Sequence, residues 1–332
     1  MITTLTRAAD LPPDWDDVVG DNLYLRRDFL AFMESCDDCG QRYHFIRDAD
    51  GRLDTVYLTY VRHRYNLAMF TTHELFVKMT FVYVPLSVTR PGIAWGTRRE
   101  EALEHIRGLR GYKLMLNLPS GDYAGFATGM TCAQCVLTLR WSTFEGYLAS
   151  LRSHYRHRYR KALRGSAGLR LRFLADPSEF DQQLYALYLQ VVGHSRLVIE
   201  TLSLEFFQGH WFDIFVLEDD AGPQGFVQLL ANGEELIFEF VGLNYATSHT
   251  YDTYQRMLLE IVRYGIERGF ATIDFGQTAD DTKLKLGCDY TMLYAALHHS
   301  NPLLVFGARR LARHLEYKPL ATGFTVFKEE IA

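Results

Sequence analysis

The chain has 332 residues, 48% of them hydrophobic, including 22 Phe and 20 Tyr. This is enough apolar material for one large core or two ordinary ones, and it excludes an intrinsically disordered chain. A net charge of −5 and a pI near 6.2 exclude a global attraction to nucleic acid, so any such binding needs a local basic patch.

The opening MITTLTRAADLPPDW has no basic segment leading into an apolar core. No uninterrupted apolar run reaches the length of about 18 residues that would span a membrane. The expectation is a cytoplasmic protein with no membrane span. Five cysteines, an odd number, fit a reducing compartment. Cys36 and Cys39 form one C-x2-C pair and Cys132 and Cys135 another. Together they offer either four zinc ligands or isolated small apolar side chains; the wide separation of the pairs favours the second reading.

In chain order, the spacing predicts a helix over residues 22–35, ending near Gly40. Strands over 43–47 and 55–61 flank a turn at Asp50-Gly51. A strand over 80–86, a helix over 98–109 closed by Gly111, and a strand over 112–117 follow. The Gly-, Pro- and Ser-containing stretch LPSGDYAGFATG reads as a loop. A domain boundary is therefore expected near residue 138, giving domains 1–138 and 139–332.

The second half is more legible. Ser142 is expected to cap a helix starting at Thr143, with Glu145 completing a capping box, and that helix to run on through YLASLRSHYRHRYRKALRG. Helices are predicted over 179–193 and 203–211. Strands are predicted over 213–218, 225–231 and 235–242, with Asn232-Gly233 as a hairpin turn. A helix over 251–268 has Tyr251, Tyr254, Leu258, Ile261 and Gly265 on one face. Asp252, Glu260, Arg263 and Glu267 lie on the other, with Thr250 as cap and Gly269 as stop. Strands over 271–275 and 290–297 and a helix over 301–314 complete the chain.

Three antiparallel strands feeding a helix and then a parallel strand resemble the GNAT acyltransferase fold, and four segments resemble its FemAB-like branch. They are TFEGYLASLRSHYRHRYRKAL, FEFVGLNY before the long helix, TIDFGQT, and DDTKLKLG, in which Lys283 precedes Gly287 by four residues. The resemblance covers roughly residues 139–300; the first half resembles a degenerate sister domain only weakly. It implies an α/β (α+β) protein of two tandem GNAT-like domains, the first degenerate. The implied activity is that of an N-acyltransferase forming an amide between an acyl thioester and a small amine acceptor. No tightly bound cofactor is implied. The co-substrate would be acyl-coenzyme A, an acyl-carrier protein or an aminoacyl-tRNA. The last would make the chain a FemAB-type peptidyltransferase; a further alternative is a non-catalytic binding module that keeps the fold.

The coenzyme A grip of ordinary GNAT enzymes is a glycine-rich loop at the start of the long helix, where exposed amides favour phosphate. This chain has NYATSHTY there instead. Arg152, Arg156 and Arg160 recur at four-residue spacing on one helix face, with Tyr155 and Tyr159 beside them. They read either as a phosphate clamp for donor or tRNA or as a solvated basic face. Glu239, in the middle of LIFEFVG, is expected opposite Phe238 and Phe240. There an apolar setting would raise its pKa and suit it to act as general base, unless it sits at a wet edge. By resemblance Lys283 steadies the oxyanion or a donor phosphate; alternatively it is a surface lysine, and Lys285 is its solvent-facing neighbour. Asp274 reads either as a base or as a cap of the next turn, and Gly276 and Gln277 follow it at a strand end, where open α/β sheets bind substrates, or form an ordinary turn. Tyr251 and Tyr254, at the start of the long helix, join the donor-binding set. His249 and the pair His298-His299 read as solvated side chains, and Ser120 and Ser195 have no base partner for a hydrolase triad.

Overall fold

The computed structural model describes residues 2–86, 88–195, 198–320 and 323–328. Contacts divide the chain into two compact units, 1–133 with 292–319 and 134–291 with 320–332. The boundary falls close to residue 138, but no single cut suffices: 292–319 leaves the second half and joins the first unit.

The first unit holds β1 (Ile2–Leu5), α1 (Trp15–Val19), α2 (Arg27–Cys36), β2 (Arg42–Arg47), β3 (Leu53–Asn66), β4 (Phe76–Val82), β5 (Ile93–Ala94), α3 (Arg99–Gly108) and β6 (Tyr112–Leu118). β7 (Ala127–Thr138) crosses into the second unit. That unit contains α4 (Phe144–Ser150), α5 (Ser153–Gly165), β8 (Arg170–Phe173), α6 (Gln182–His194), α7 (Leu204–Phe207), β9 (Phe212–Asp219), β10 (Gly222–Asn232) and β11 (Glu235–Leu243). It continues through α8 (Ser248–Tyr251), α9 (Thr253–Arg268), β12 (Thr272–Asp274) and α10 (Asp280–Leu284). β13 (Asp289–His299) leads back to the first unit, which ends with α11 (Pro302–Leu315).

Pairing in the second unit runs β8-β9-β10-β11-β12-β7, antiparallel throughout except for the parallel pair β11–β12. The parallel pair needs a crossover, which α9 supplies. Met257, Leu258, Ile261 and Val262 of α9 are buried in a core with Val227, Leu229, Leu236 and Ile273. Gly269 ends α9 in the left-handed conformation at φ 77°, as the sequence predicts. The hairpin at Asn232-Gly233 also forms, with Asn232 opposite Glu235.

Several local expectations are corrected. The side chain of Thr143, not Ser142, accepts the Gly146 amide and caps α4. The predicted long helix breaks at Leu151 and Arg152, both extended, because these residues pair with the chain's end: Leu151 bridges Phe327, and the Arg152 amide donates to Val326. The helix expected over 203–211 is the single turn of α7. Thr250 lies in α8, and α9 starts after a left-handed Asp252 with no side-chain cap. Glu260, assigned to the polar face, is buried, clamped by Arg256 at 2.6 Å and Arg263 at 3.1 Å. The strand expected over 80–86 lies earlier, as β4, and the loop before residue 130 is partly β7.

Candidate active site

β11 and β12 are paired only at Glu235–Thr272, Leu236–Ile273 and Ile237–Asp274. β12 then ends, while β11 continues to Leu243 bonded to β10 alone. No strand among the described residues covers the other edge of β11 beyond Ile237. Two strands that start side by side therefore part, and the backbone groups along this edge can bind an extended ligand as a missing strand would.

Glu239 sits just past the point of parting. Gln228 of β10 faces Phe240 and Leu229 faces Phe238, so Glu239 is the extra residue of a β-bulge. The expected alternation fails for this reason. Phe238 packs toward Phe275, whereas Phe240 packs against Tyr188, Phe206 and Phe207. The bulge leaves Glu239 half-buried.

Past β12 the chain turns sharply. The Asp274 carboxylate accepts the Gly276 amide at 2.7 Å and the Gln134 side-chain amide at 2.8 Å, so this buried side chain shapes the turn. Gly276, Thr278 and Ala279 all have positive φ, of 71°, 64° and 51°. For Thr and Ala this is a strained conformation, held only by its surroundings. Lys283 supplies part of that hold: it is 3% exposed and donates from Nζ to the Gln277 carbonyl at 2.6 Å. Burial pushes its pKa below the usual lysine range, against the pull of Cys135, Asp274 and Asp280. Lys283 is thus an interior brace of the turn rather than a surface lysine. Lys285 pairs with Asp281 and is only partly exposed, not fully solvated. Two tyrosines brace the following backbone: Tyr147 donates to the Leu286 carbonyl and Tyr159 to that of Lys285. At Gly287, φ is 96° and the Phe327 ring occupies the space a side chain would need.

Two of the three arginines of the expected clamp, Arg152 and Arg156, bond backbone carbonyls. Arg152 Nε donates to the Phe327 carbonyl at 3.1 Å, and Arg156 to those of Ala149 and Leu151 at 3.2 Å. Arg160 lies 3.7 Å from Glu145. The Arg156 contacts satisfy carbonyls orphaned by the α4–α5 break. Tyr155 and Tyr159 are buried. The exposed arginines and lysine of α5 are Arg158, Arg160, Lys161 and Arg164. Tyr251 donates to Asp219 at 3.1 Å, and Tyr254 is part-buried near Tyr245 and Cys135, which raises its phenol pKa.

Sequence reasoning missed Gln228. It is fully buried opposite Phe240, and neither of its side-chain polar atoms has a hydrogen-bond partner among the described residues. A buried amide left so costs about 1–3 kcal/mol. Its lone polar character between Val227 and Leu229 was the available signal.

Residues 149–284 match the family model of the acetyltransferase (GNAT) domain. No curated protein sequence matches the chain. Among solved structures, the C-terminal domain of a putative lysylphosphatidylglycerol synthetase from Agrobacterium fabrum is similar. Its TM-score is 0.54 at 12% identity, over 90% of this chain and 95% of that one. L-PGS from Bacillus licheniformis superposes with a TM-score of 0.51 at 12% identity, over 86% and 95%. FemX does so with 0.51 at 10% identity, over 81% and 90%. At such identities the likeness establishes a shared fold.

Proposed function

With a GNAT acetyltransferase domain over residues 149–284 as its premise, we propose that this chain is an N-acyltransferase that forms an amide where β11 and β12 part. The carrying observation is that these strands separate after three residue pairs, with Glu239 bulged out beside the opening. The amine attacks the thioester carbonyl, Glu239 accepts the proton the amine loses, and the thiolate departs. The uncovered edge of β11 holds the extended donor arm, and the strained turn at Gly276 and Gln277, braced by Lys283 and Asp274, shapes the far wall. The start of α9, which has no side-chain cap, faces the donor's phosphates. The donor favoured is an acyl group on coenzyme A or a carrier-protein arm.

One observation favours a second donor. Arg158, Lys161 and Arg164 form an exposed basic face on α5, which suits the phosphates of an aminoacyl-tRNA.

The test is a thermal-shift and mass-spectrometric screen of the pure protein with acyl-coenzyme A, carrier-protein thioesters and charged tRNA, in the presence of amines. A thioester that raises the melting point and yields an amide supports the first reading. Product from charged tRNA alone, with salt-sensitive binding, supports the second. No amide from any donor overturns both.

A further inference from the structure

The first unit carries a feature that the transfer reaction does not use. α11 has the sequence PLLVFGARRLARHL, with no acidic residue. Its inner face closes an apolar cavity of about 280 Å³ whose walls include Leu67, Leu114, Met130, Leu304, Ala308 and Leu311. Its outer face is unusual for a protein surface. Leu303 is 75% exposed and Phe306 58%, and at the rim of the cavity Leu311 is 54% and Leu75 48% exposed. Clustered exposed apolar side chains mark an interaction surface.

Cations surround them. Arg309, Arg310, Arg313, His314 and Lys318 are all exposed on α11 or just beyond it. Arg310 stacks over the Phe306 ring at 4.8 Å, and Arg64 over that of Phe76 at 4.0 Å. The acidic neighbour Glu316 is engaged: it accepts the Met130 amide at 3.0 Å and lies 3.7 Å from Lys318. An apolar ridge in a basic collar matches a surface with an anionic skin and an apolar interior. A second copy of the chain would bring arginines against arginines. An apolar pocket open at its rim can take in an apolar guest.

We propose that the outer face of α11 docks on an anionic phospholipid bilayer, with Leu303 and Phe306 entering the acyl boundary, the arginines on lipid phosphates, and one acyl chain taken into the cavity. The proposal rests on the first unit alone and stands or falls separately from the transfer reaction.

The full chain is sedimented with vesicles of phosphatidylcholine, with and without phosphatidylglycerol. Binding to the anionic vesicles only, reversed by salt, is expected. The variant R310E/R313E should bind about tenfold more weakly or worse, and L303D/F306D should lose binding while melting as the wild type does. A308L, which fills the cavity from its helical wall, should weaken binding several-fold; unchanged binding overturns the entry of an acyl chain. Equal or absent binding to both vesicles, or indifference to the charge reversal, overturns the docking surface. So does a dimer in solution that F306D dissociates.

Discussion

The two units share one order of strands and differ where their parallel pairs end. In the first, the pairing β1-β2-β3-β4-β6-β13 is antiparallel except for β4–β6, matching β8-β9-β10-β11-β12-β7 in the second. Each parallel pair is bridged by a helix, α3 in one and α9 in the other. Each sheet takes its last strand from a distant part of the chain. The last parallel pairs are Val82–Met115 and Ile237–Asp274. Counting two residues on, Glu239 corresponds to Val84 and Gly276 to Asn117, and both Gly276 and Asn117 have positive φ. In the first unit β4 stops at its last pair, and Tyr83, Val84 and Leu86, which follow it, are buried. Asn117 and Tyr83 bond to each other at 3.1 Å and both bond to the Val88 carbonyl. The turn geometry persists, but the opening is plugged with apolar side chains and its carboxylate is gone. The proposed site needs strands that part and a charged group at the fork, and the shared topology by itself does not supply that charge.

The largest effect that would test this contrast is at the fork. E239Q should lower kcat for amide formation by about 10²–10⁴-fold, as for loss of a general base, with little change in melting point. V84A should leave turnover per folded molecule unchanged. Equal losses in turnover for the two variants would break the comparison.

The plug can be probed through its glycine. A Cβ on Gly92 would lie 2.3 Å from the Tyr83 Cα, a backbone atom. On Gly225 in the second unit it would meet Met257 Cε at 2.0 Å and the Gly242 carbonyl at 2.8 Å. A methionine end swings aside more easily than backbone, so G225A should cost about 1–3 kcal/mol and G92A about 3 kcal/mol or more, by chemical denaturation.

Much of this architecture was legible in local sequence. Asn232-Gly233 and Gly269 declare a turn and a helix stop through backbone freedom that few other residues have. The features that matter most were not local. The break at Leu151 depends on Phe327 at the chain's far end, and the bulge at Glu239 depends on pairing with Gln228 and Leu229. A period-two pattern contains no sign of an extra residue. Lys283 was legible as a motif, but its burial is set by Asp274, Asp280 and Gln277 around it. The arginines kept their helical spacing, yet Arg156 bonds the carbonyls of the helix break and Arg152 that of Phe327, contacts that no local pattern announces.

Acid should separate the units. Burial depresses the pKa of His44 to about 3 and of His298 to about 4, and lowers those of His105 and His299; all four lie in the first unit. A base with a lowered folded pKa binds protons better when unfolded. Stability is therefore lost as pH falls from about 6.5 toward 4, by at most about 1.4 kcal/mol per pH unit for each histidine. In the second unit the depressed base is Lys283, so stability there rises with pH through its folded pKa up to the ordinary 10.5. Trp15 and Trp95 report on the first unit, Trp141 and Trp211 on the second. Fluorescence of single-tryptophan variants should show the first unit opening earlier in acid, and H44N should delay it.

The smallest effect concerns the starts of the crossover helices. Ahead of α3, Asp54 accepts the amides of Thr97 and Arg98 at 2.9 and 2.8 Å, so a carboxylate already occupies that positive helix end. These bonds hold its pKa down at about 2. The stabilisation is thus present above about pH 4 and fades toward pH 2. D54A should cost about 1 kcal/mol at neutral pH, as the loss of a helix cap does, and nothing below pH 2. At α9 the N-cap Asp252 makes no such bond, so no side-chain carboxylate takes up the first amides of that helix. Inorganic pyrophosphate should therefore raise the melting temperature of the second unit and leave the first unaffected. If D54A makes the first unit respond as well, the internal carboxylate is what closed that helix end to anions. If neither unit responds, the contrast between the helix starts does not extend to ligand binding.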